Sequence, residues 1–197
     1  MDDENKEFLN LLDQVINEKT FDLQLLNGQT VKCKQLSTRH LKELIKTIAA
    51  SPLTQALFNS TCTKILQDSI VDLPKDYNLT IVDRLLFLIE TRRVSISSSL
   101  VLTDSENKLR ITVDLEKLKN NLWSKINENK SAFDNTSFEA DKLSFIVETP
   151  TLATEKQLNE EIYKKVEIEA GNTEKFKDFI ADSFIYEISK YLSSITI

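Results

Sequence analysis

Glycine is scarce in this chain. Only Gly28 and Gly171 occur among 197 residues, against about 14 for a chain of average composition. Phosphate-cradling loops, dinucleotide turns and nucleophile elbows use glycine for positive φ or for close approach of backbone to ligand. Two isolated glycines leave no place to build them. Histidine is scarcer still: His40, the sole example, stands beside Arg39 and Lys42 with no evident catalytic partner. It reads as a structural residue. A zinc site needs three or four convergent nitrogen or sulfur ligands, and one histidine with the separated Cys33 and Cys62 does not supply them. No CxxC pattern occurs, so the two thiols read as buried and free. No stretch of apolar residues is long enough for a spanning helix, and the opening residues MDDENKEF are acidic and polar, unlike a secretory signal. The net charge is −6 without a basic run, which argues against a surface that tracks phosphates. No catalytic residue, metal or cofactor is assigned, and neither nucleic acid nor membrane is expected as a partner.

What is present is patterned for folding. Residues 5–17 place Phe8, Leu9, Leu11, Leu12, Val15 and Ile16 at helical spacing. The period then changes: Phe21, Leu23 and Leu25 alternate with polar residues, Asn27-Gly28 follows, and Val31 and Cys33 alternate with lysines. Asn-Gly between alternating runs predicts a β-hairpin over 21–35 with a type I′ turn. Ser37 or Thr38 caps a helix whose apolar stripe is Leu41, Leu44, Ile45 and Ile48, ended by Ser51-Pro52. A further helix covers 54–70, with Leu57, Phe58, Ile65 and Leu66 facing inward.

Thr80-Ile81-Val82-Asp83 reads as a capping box. It opens a helix over 80–92 whose centre, Leu85-Leu86-Phe87-Leu88-Ile89, is apolar on every side, as a wrapped central helix would be. Segments 94–103 and 108–115 alternate as a second hairpin, and Leu115, Leu118, Leu122, Trp123 and Ile126 continue as a helix. Residues 127–142 read as a flexible loop. A strand over 143–147 precedes a helix that Thr154 caps and Gly171 ends, and a last helix over 173–194 carries a wide aromatic stripe. The expected fold is α+β and mostly helical. Its order is an N-terminal hairpin, a helical core, a second hairpin and C-terminal helices. Residues 1–126 form the core domain, and 143–197 pack on it.

Two surfaces are candidates for binding other proteins. One is the hairpin edge around 29–35, with Val31, Lys32 and Lys34, where a local basic cluster also includes Arg39, Lys42 and Lys46. The other is the C-terminal stripe, with Phe176, Phe179, Phe184, Ile188 and Tyr191. That stripe packs either on its own core or into a partner's groove, or joins two copies. Carboxylates are plentiful, and Glu106-Asn107-Lys108 and Glu128-Asn129-Lys130 match the E-x-K part of a metal-nuclease signature. In a chain rich in Glu, Lys and Asn so short a match carries little weight.

From Phe21-Asp22-Leu23 through Asn27-Gly28, Val31-Lys32-Cys33-Lys34-Gln35-Leu36-Ser37-Thr38 and Leu41-Lys42-Glu43-Leu44, the element order is distinctive. It continues after two helices with Leu79-Thr80-Ile81-Val82-Asp83-Arg84-Leu85-Leu86-Phe87-Leu88-Ile89, then Thr91-Arg92-Arg93 and Ser95. This order resembles the T4-type phage baseplate protein family, whose members act in assembly of the tail baseplate hub. In that family a hairpin leads into a helix, and a later helix with a central Asp ends in an Arg followed by Ser. The resemblance covers the first half, and Glu148-Thr149-Pro150 extends it. One departure is Ser97-Ser98-Ser99, where the family has a glycine. The resemblance implies a non-enzymatic tail protein with other hub or hub-assembly proteins as partners, a homo-oligomer being open. It would act in the host cytoplasm during assembly, as a transient chaperone, or stay in the virion baseplate. The alternatives are a small carboxylate- and Mg²⁺-dependent hydrolase or nuclease, and an early host-interaction adaptor.

Overall fold

The computed structural model describes residues 19–49, 54–104, 106, 109–133, 136–169, 185 and 187–196. The helix expected over 5–17 and the C-cap at Gly171 lie outside them. Among the described residues the chain is a mixed α+β protein with six helices and seven strands in three small antiparallel sheets. The mostly helical part of the expectation is not confirmed, because segments read as helix or loop pair as strands among the described residues. Two compact units form: residues 1–77 with 82–124, and residues 78–81 with 125–197.

The first unit opens with β1 (Thr20–Gln24) and β2 (Thr30–Lys34), paired antiparallel with Leu23 opposite Val31 and Phe21 opposite Cys33. Period-2 alternation turns Phe21, Leu23, Val31 and Cys33 into the core and leaves the polar residues exposed. The turn differs from the expected type I′. The Gly28 N–H donates to the Leu25 carbonyl and the Leu25 N–H to the Gln29 carbonyl, each at 2.8 Å. Gly28 has φ of 86°, and Asn27 does not adopt positive φ. These bonds define a three-residue loop in which glycine alone takes the left-handed position. Asn27 contributes its side-chain oxygen, which accepts the Gln29 N–H at 3.0 Å.

Helix α1 (Thr38–Ala49) is capped by Ser37, whose hydroxyl accepts the His40 N–H at 3.2 Å. The Ser37 N–H in turn donates to His40 Nδ1 at 3.4 Å. His40 therefore takes the place that Glu or Gln holds in a capping box. Helix α2 (Thr54–Ser69) buries Cys62, Ile65 and Leu66. The Thr47 and Thr61 hydroxyls meet at 3.0 Å between α1 and α2.

Helix α3 (Ile81–Ser95) buries Leu86, Phe87 and Ile89, and Phe87 stacks on Phe21 at 6.3 Å. It is not wrapped on every side, since Leu85 is exposed. Its buried Arg84 donates to Thr63 Oγ1 at 3.0 Å and to the Asn59 carbonyl, fastening α3 to α2. The helix runs on to Ser95, so residues 94–95 belong to it and not to the second hairpin. The Arg92 carbonyl closes it by accepting the N–H groups of Ile96 and Ser97. A serine shapes the turn that follows: Ser97 Oγ accepts the Ser99 N–H at 3.2 Å. Then β3 (Ser99–Asp104) and β4 (Leu109–Asp114) form the second hairpin, and helix α4 (Leu115–Glu128) begins.

In the second unit, the Leu79 carbonyl accepts the Leu152 N–H at 2.8 Å, and the Ile81 N–H donates to the Pro150 carbonyl. The segment expected as a flexible loop contains the short helix α5 (Lys130–Phe133) and strand β5 (Thr136–Ala140). β5 pairs with β6 (Leu143–Val147), and Phe138 stacks on Phe145 at 4.9 Å. That cross-strand pair lies outside any local pattern in the polar stretch. Asp141 takes φ of 55° in the tight turn between the strands, a conformation Asp tolerates better than most residues.

Helix α6 (Leu152–Glu169) starts two residues before the expected cap. Thr151 Oγ1 caps it by accepting the Thr154 N–H at 3.1 Å. The last helix expected over 173–194 fails at its end, where β7 (Leu192–Thr196) adds to β6. Ser193-Ser194 breaks the apolar helical period, and β7 pairs with β6 through Leu192 and Ser194 to Thr196, with a register shift at Ser193.

Candidate protein-binding surfaces

The hairpin surface expected around 29–35 is shaped from inside. Leu26, at the tip of the β1–β2 loop, donates its N–H to Asp83 Oδ1 at 2.7 Å. Tyr77 donates its hydroxyl to Asp83 Oδ2 at 2.8 Å. The Asp83 side chain is fully buried, in the first turn of α3. A carboxylate near a helix N-terminus is favoured by the helix dipole, and here it also ties the loop to α3. The local capping-box reading of Thr80–Asp83 did not reveal this long-range role.

Of the hairpin residues singled out by sequence, Val31 is buried and offers no side chain to a partner. Lys32 and Lys34 are exposed, and Lys32 pairs with Asp22 across the strands at 3.5 Å. The outer edge of β2 is occupied at its middle: the Val71 N–H donates to the Lys32 carbonyl at 2.9 Å, and Cys33 bridges to Ile70. The expected edge around 29–35 is therefore already paired there.

Phe176, Phe179 and Phe184 of the C-terminal stripe lie outside the described residues. Ile188 is exposed, and Tyr191 is partly exposed with the Lys190 ammonium 5.5 Å from its ring centroid. The Tyr191 carbonyl accepts the Glu148 N–H, anchoring the approach to β7.

Two exposed apolar faces emerge on α1 and on the β3–β4 hairpin. On α1, Leu41, Ile45 and Ile48 are all exposed, and no residue of the helix is buried. On the β3–β4 hairpin, Leu102 stands opposite Ile111 and Leu100 opposite Val113. Alternation puts Leu100, Leu102, Leu109, Ile111 and Val113 on one face, and Leu102, Leu109 and Ile111 are each about half exposed, at 51%, 52% and 48%.

A cleft of about 360 Å³ lies between β1, α3 and α4. Leu23, Leu86 and Trp123 give it apolar surface, and Glu90, Lys119 and Asn120 give it polar groups. Glu90 is buried, yet Arg93 and Lys119 both pair with it, and Glu116 pairs with the same two cations. Burial pushes the Glu90 carboxyl upward, but the Arg93 hydrogen bonds and the Lys119 charge outweigh it and hold the group below its usual range.

Glu106 and Glu128 of the two E-x-K triplets are exposed, as is Asp104, whose Oδ1 accepts the Glu106 N–H at 3.0 Å as a local turn. Asn107 and Lys108 lie outside the described residues. Among the described residues no group of three or more His, Cys, Asp and Glu side chains is placed to hold a metal ion, and no helix is long and apolar enough to cross a membrane. Burial raises the Cys33 thiol to about 12 and the Cys62 thiol to about 11, with Asp22 adding to the first and Arg84 opposing the second. Both are inert packing groups at neutral pH. Compared with protein-family models, curated proteins and solved structures, the chain matches none.

Proposed function

We propose that the chain is a non-enzymatic phage tail protein that acts in the assembly or structure of the baseplate hub by binding other hub proteins. The element order over residues 21–95 suggests the assembly. The observation that carries the binding role is the β3–β4 hairpin. An isolated two-stranded ribbon is marginal in water, and its apolar face needs cover. Leu102, Leu109 and Ile111 lie uncovered on that face, and neither strand pairs with any third strand among the described residues. Exposed apolar surface of this kind marks an interface or an aggregation site. The exposed stripe of Leu41, Ile45 and Ile48 on α1 supports the same reading.

The test is capture of tail proteins by the tagged chain from cells that produce the phage's tail proteins. Baseplate proteins are expected with the natural chain and lost with a Leu102→Lys, Ile111→Lys double variant that keeps its circular dichroism. Recovery of no tail protein overturns the hub reading. Undiminished capture by the double variant overturns the hairpin's role in it.

A further inference from the structure

The hydrogen-bond register of the first hairpin decides which of its edges is open. The Gln35 N–H donates to the Lys19 carbonyl and the Leu25 N–H to the Gln29 carbonyl. Bonded pairs recur every second residue in an antiparallel ladder, so Phe21 and Leu23 also face β2. Thr20, Asp22 and Gln24 therefore turn their N–H and C=O groups away from β2. The same alternation turns the Lys32 carbonyl outward on β2, and Val71 already occupies it. On β1, no strand among the described residues pairs with the outward groups. One edge of the hairpin is engaged, and among the described residues no strand pairs with the other. That second edge borders the cleft that holds Leu23, Leu86 and Trp123.

We propose that the outer edge of β1 takes an extended segment of a partner protein as an added strand. The segment carries Lys or Arg opposite Asp22 and an apolar side chain at the adjoining position, turned toward the cleft. Added strands gain affinity from main-chain bonds and specificity from alternate side chains. Five residues from Thr20 to Gln24 offer an edge of ~17 Å. The requirement for a cation follows from Asp22, whose side chain is 67% exposed and whose cross-strand neighbour within the hairpin is Lys32. The same charge disfavours a second copy of this chain. Antiparallel pairing of two β1 edges centred on Asp22 would set two carboxylates opposite each other, and like charges so placed destabilise a sheet. The inference concerns a different surface from the β3–β4 face and does not depend on which assembly the chain joins.

The experiment uses the full chain and two labelled synthetic peptides. One is Thr-Val-Lys-Val-Lys-Gln, the β2 pattern with valine for cysteine. The other has glutamate in place of both lysines. Fluorescence anisotropy is expected to show saturable binding of the lysine peptide below millimolar concentration, with the glutamate peptide about tenfold weaker. Hydrogen exchange at the Asp22 and Gln24 amides slows when the lysine peptide is bound. Asp22→Lys keeps the outward N–H but sets two exposed lysines opposite each other in place of an ion pair, a small surface cost that leaves the circular dichroism unchanged, and it reverses the preference between the peptides. Asp22→Pro removes that N–H without touching the bonds to β2 and abolishes binding. Absence of saturable binding, an unchanged preference in Asp22→Lys, or unprotected edge amides overturns the proposal. So does sedimentation that shows a dimer of the natural chain dispersed by the peptide, which would identify a second copy as the occupant.

Discussion

Asp83 is the residue whose replacement tests the folding argument most directly. Its side chain is fully buried and accepts the Leu26 N–H at 2.7 Å and the Tyr77 hydroxyl at 2.8 Å. Asp83→Ala leaves both donors without this acceptor. Hydrogen bonds to a charged group contribute about 1.5–3 kcal/mol each, so the two together predict a loss of about 3–6 kcal/mol, a large share of the ~5–15 kcal/mol typical of a domain. Asp83→Asn keeps one acceptor oxygen, and the Tyr77 hydroxyl can rotate to accept from the new amide, so the expected loss falls to about 1–2 kcal/mol. Urea unfolding followed by circular dichroism measures both. In a cycle with Tyr77→Phe, the double variant lacks the stranded hydroxyl, so its loss should be smaller than the sum of the single losses by about 1 kcal/mol. Exchange of the Leu26 amide should accelerate in Asp83→Ala. A loss below ~1 kcal/mol, or an unaltered Leu26 amide, would refute the view that this carboxylate fixes the hairpin loop on α3.

Three further outcomes are expected. Leu86→Asp places an unpaired charge at a position only 2% exposed and should cost several kcal/mol; unchanged thermal melting would sink the placement of α3 in the core. The Glu90 carboxyl is held below its ordinary value of 4.5 in the folded protein. Its stabilisation is thus present above about pH 4.5 and disappears as pH falls through the lower folded value. Glu90→Gln should accordingly flatten the acid limb of a stability-versus-pH curve, and an unaltered limb counts against the Arg93–Lys119 pairing. Cys33 and Cys62 are buried, with thiols raised to about 12 and about 11. Neither should react with a thiol reagent at pH 8 until the protein is unfolded, and prompt labelling of the native chain would contradict their burial.

The elements that local chemistry specifies were legible in the sequence. Alternation around Asn27-Gly28 located the first hairpin, and serine before a helical run located the cap of α1. The details turned on partners far away in the chain. Asp83 reads as a capping residue because Thr80 stands three positions earlier, and in the fold its carboxylate also accepts from Leu26 and Tyr77. A signal was present even so: Asp83 shares a helical face with Leu86 and Phe87, and a carboxylate at a core-facing position is more informative than an apolar residue there. β5 escaped notice because its exposed, mostly polar residues have no apolar period. Its pairing depends on β6 and on one aromatic stack. β7 was masked by the aromatic spacing that precedes it, and its strand exists through the β6 edge.

Periodicity identifies the residues that share a face, but it does not say whether anything covers that face. Leu41, Ile45 and Ile48 have the spacing of a buried helix stripe, and Leu102 and Ile111 have that of a half-buried hairpin. All five are exposed. A core contact and an interface contact obey the same alternation, because both remove apolar side chains from water. The distinction lies in whether this chain provides the second surface. For the β1 edge the distinction is in the backbone: the ladder to β2 uses the inward groups of Phe21 and Leu23, and Val71 closes the far side at Lys32. The outward groups of Thr20, Asp22 and Gln24 pair with no strand among the described residues. A sequence can specify such an edge by alternation alone, while its openness is a property of the whole fold. Lys32 and Lys34 share the alternation of β1, and only the fold shows that Val71 meets their strand while no described strand meets the other.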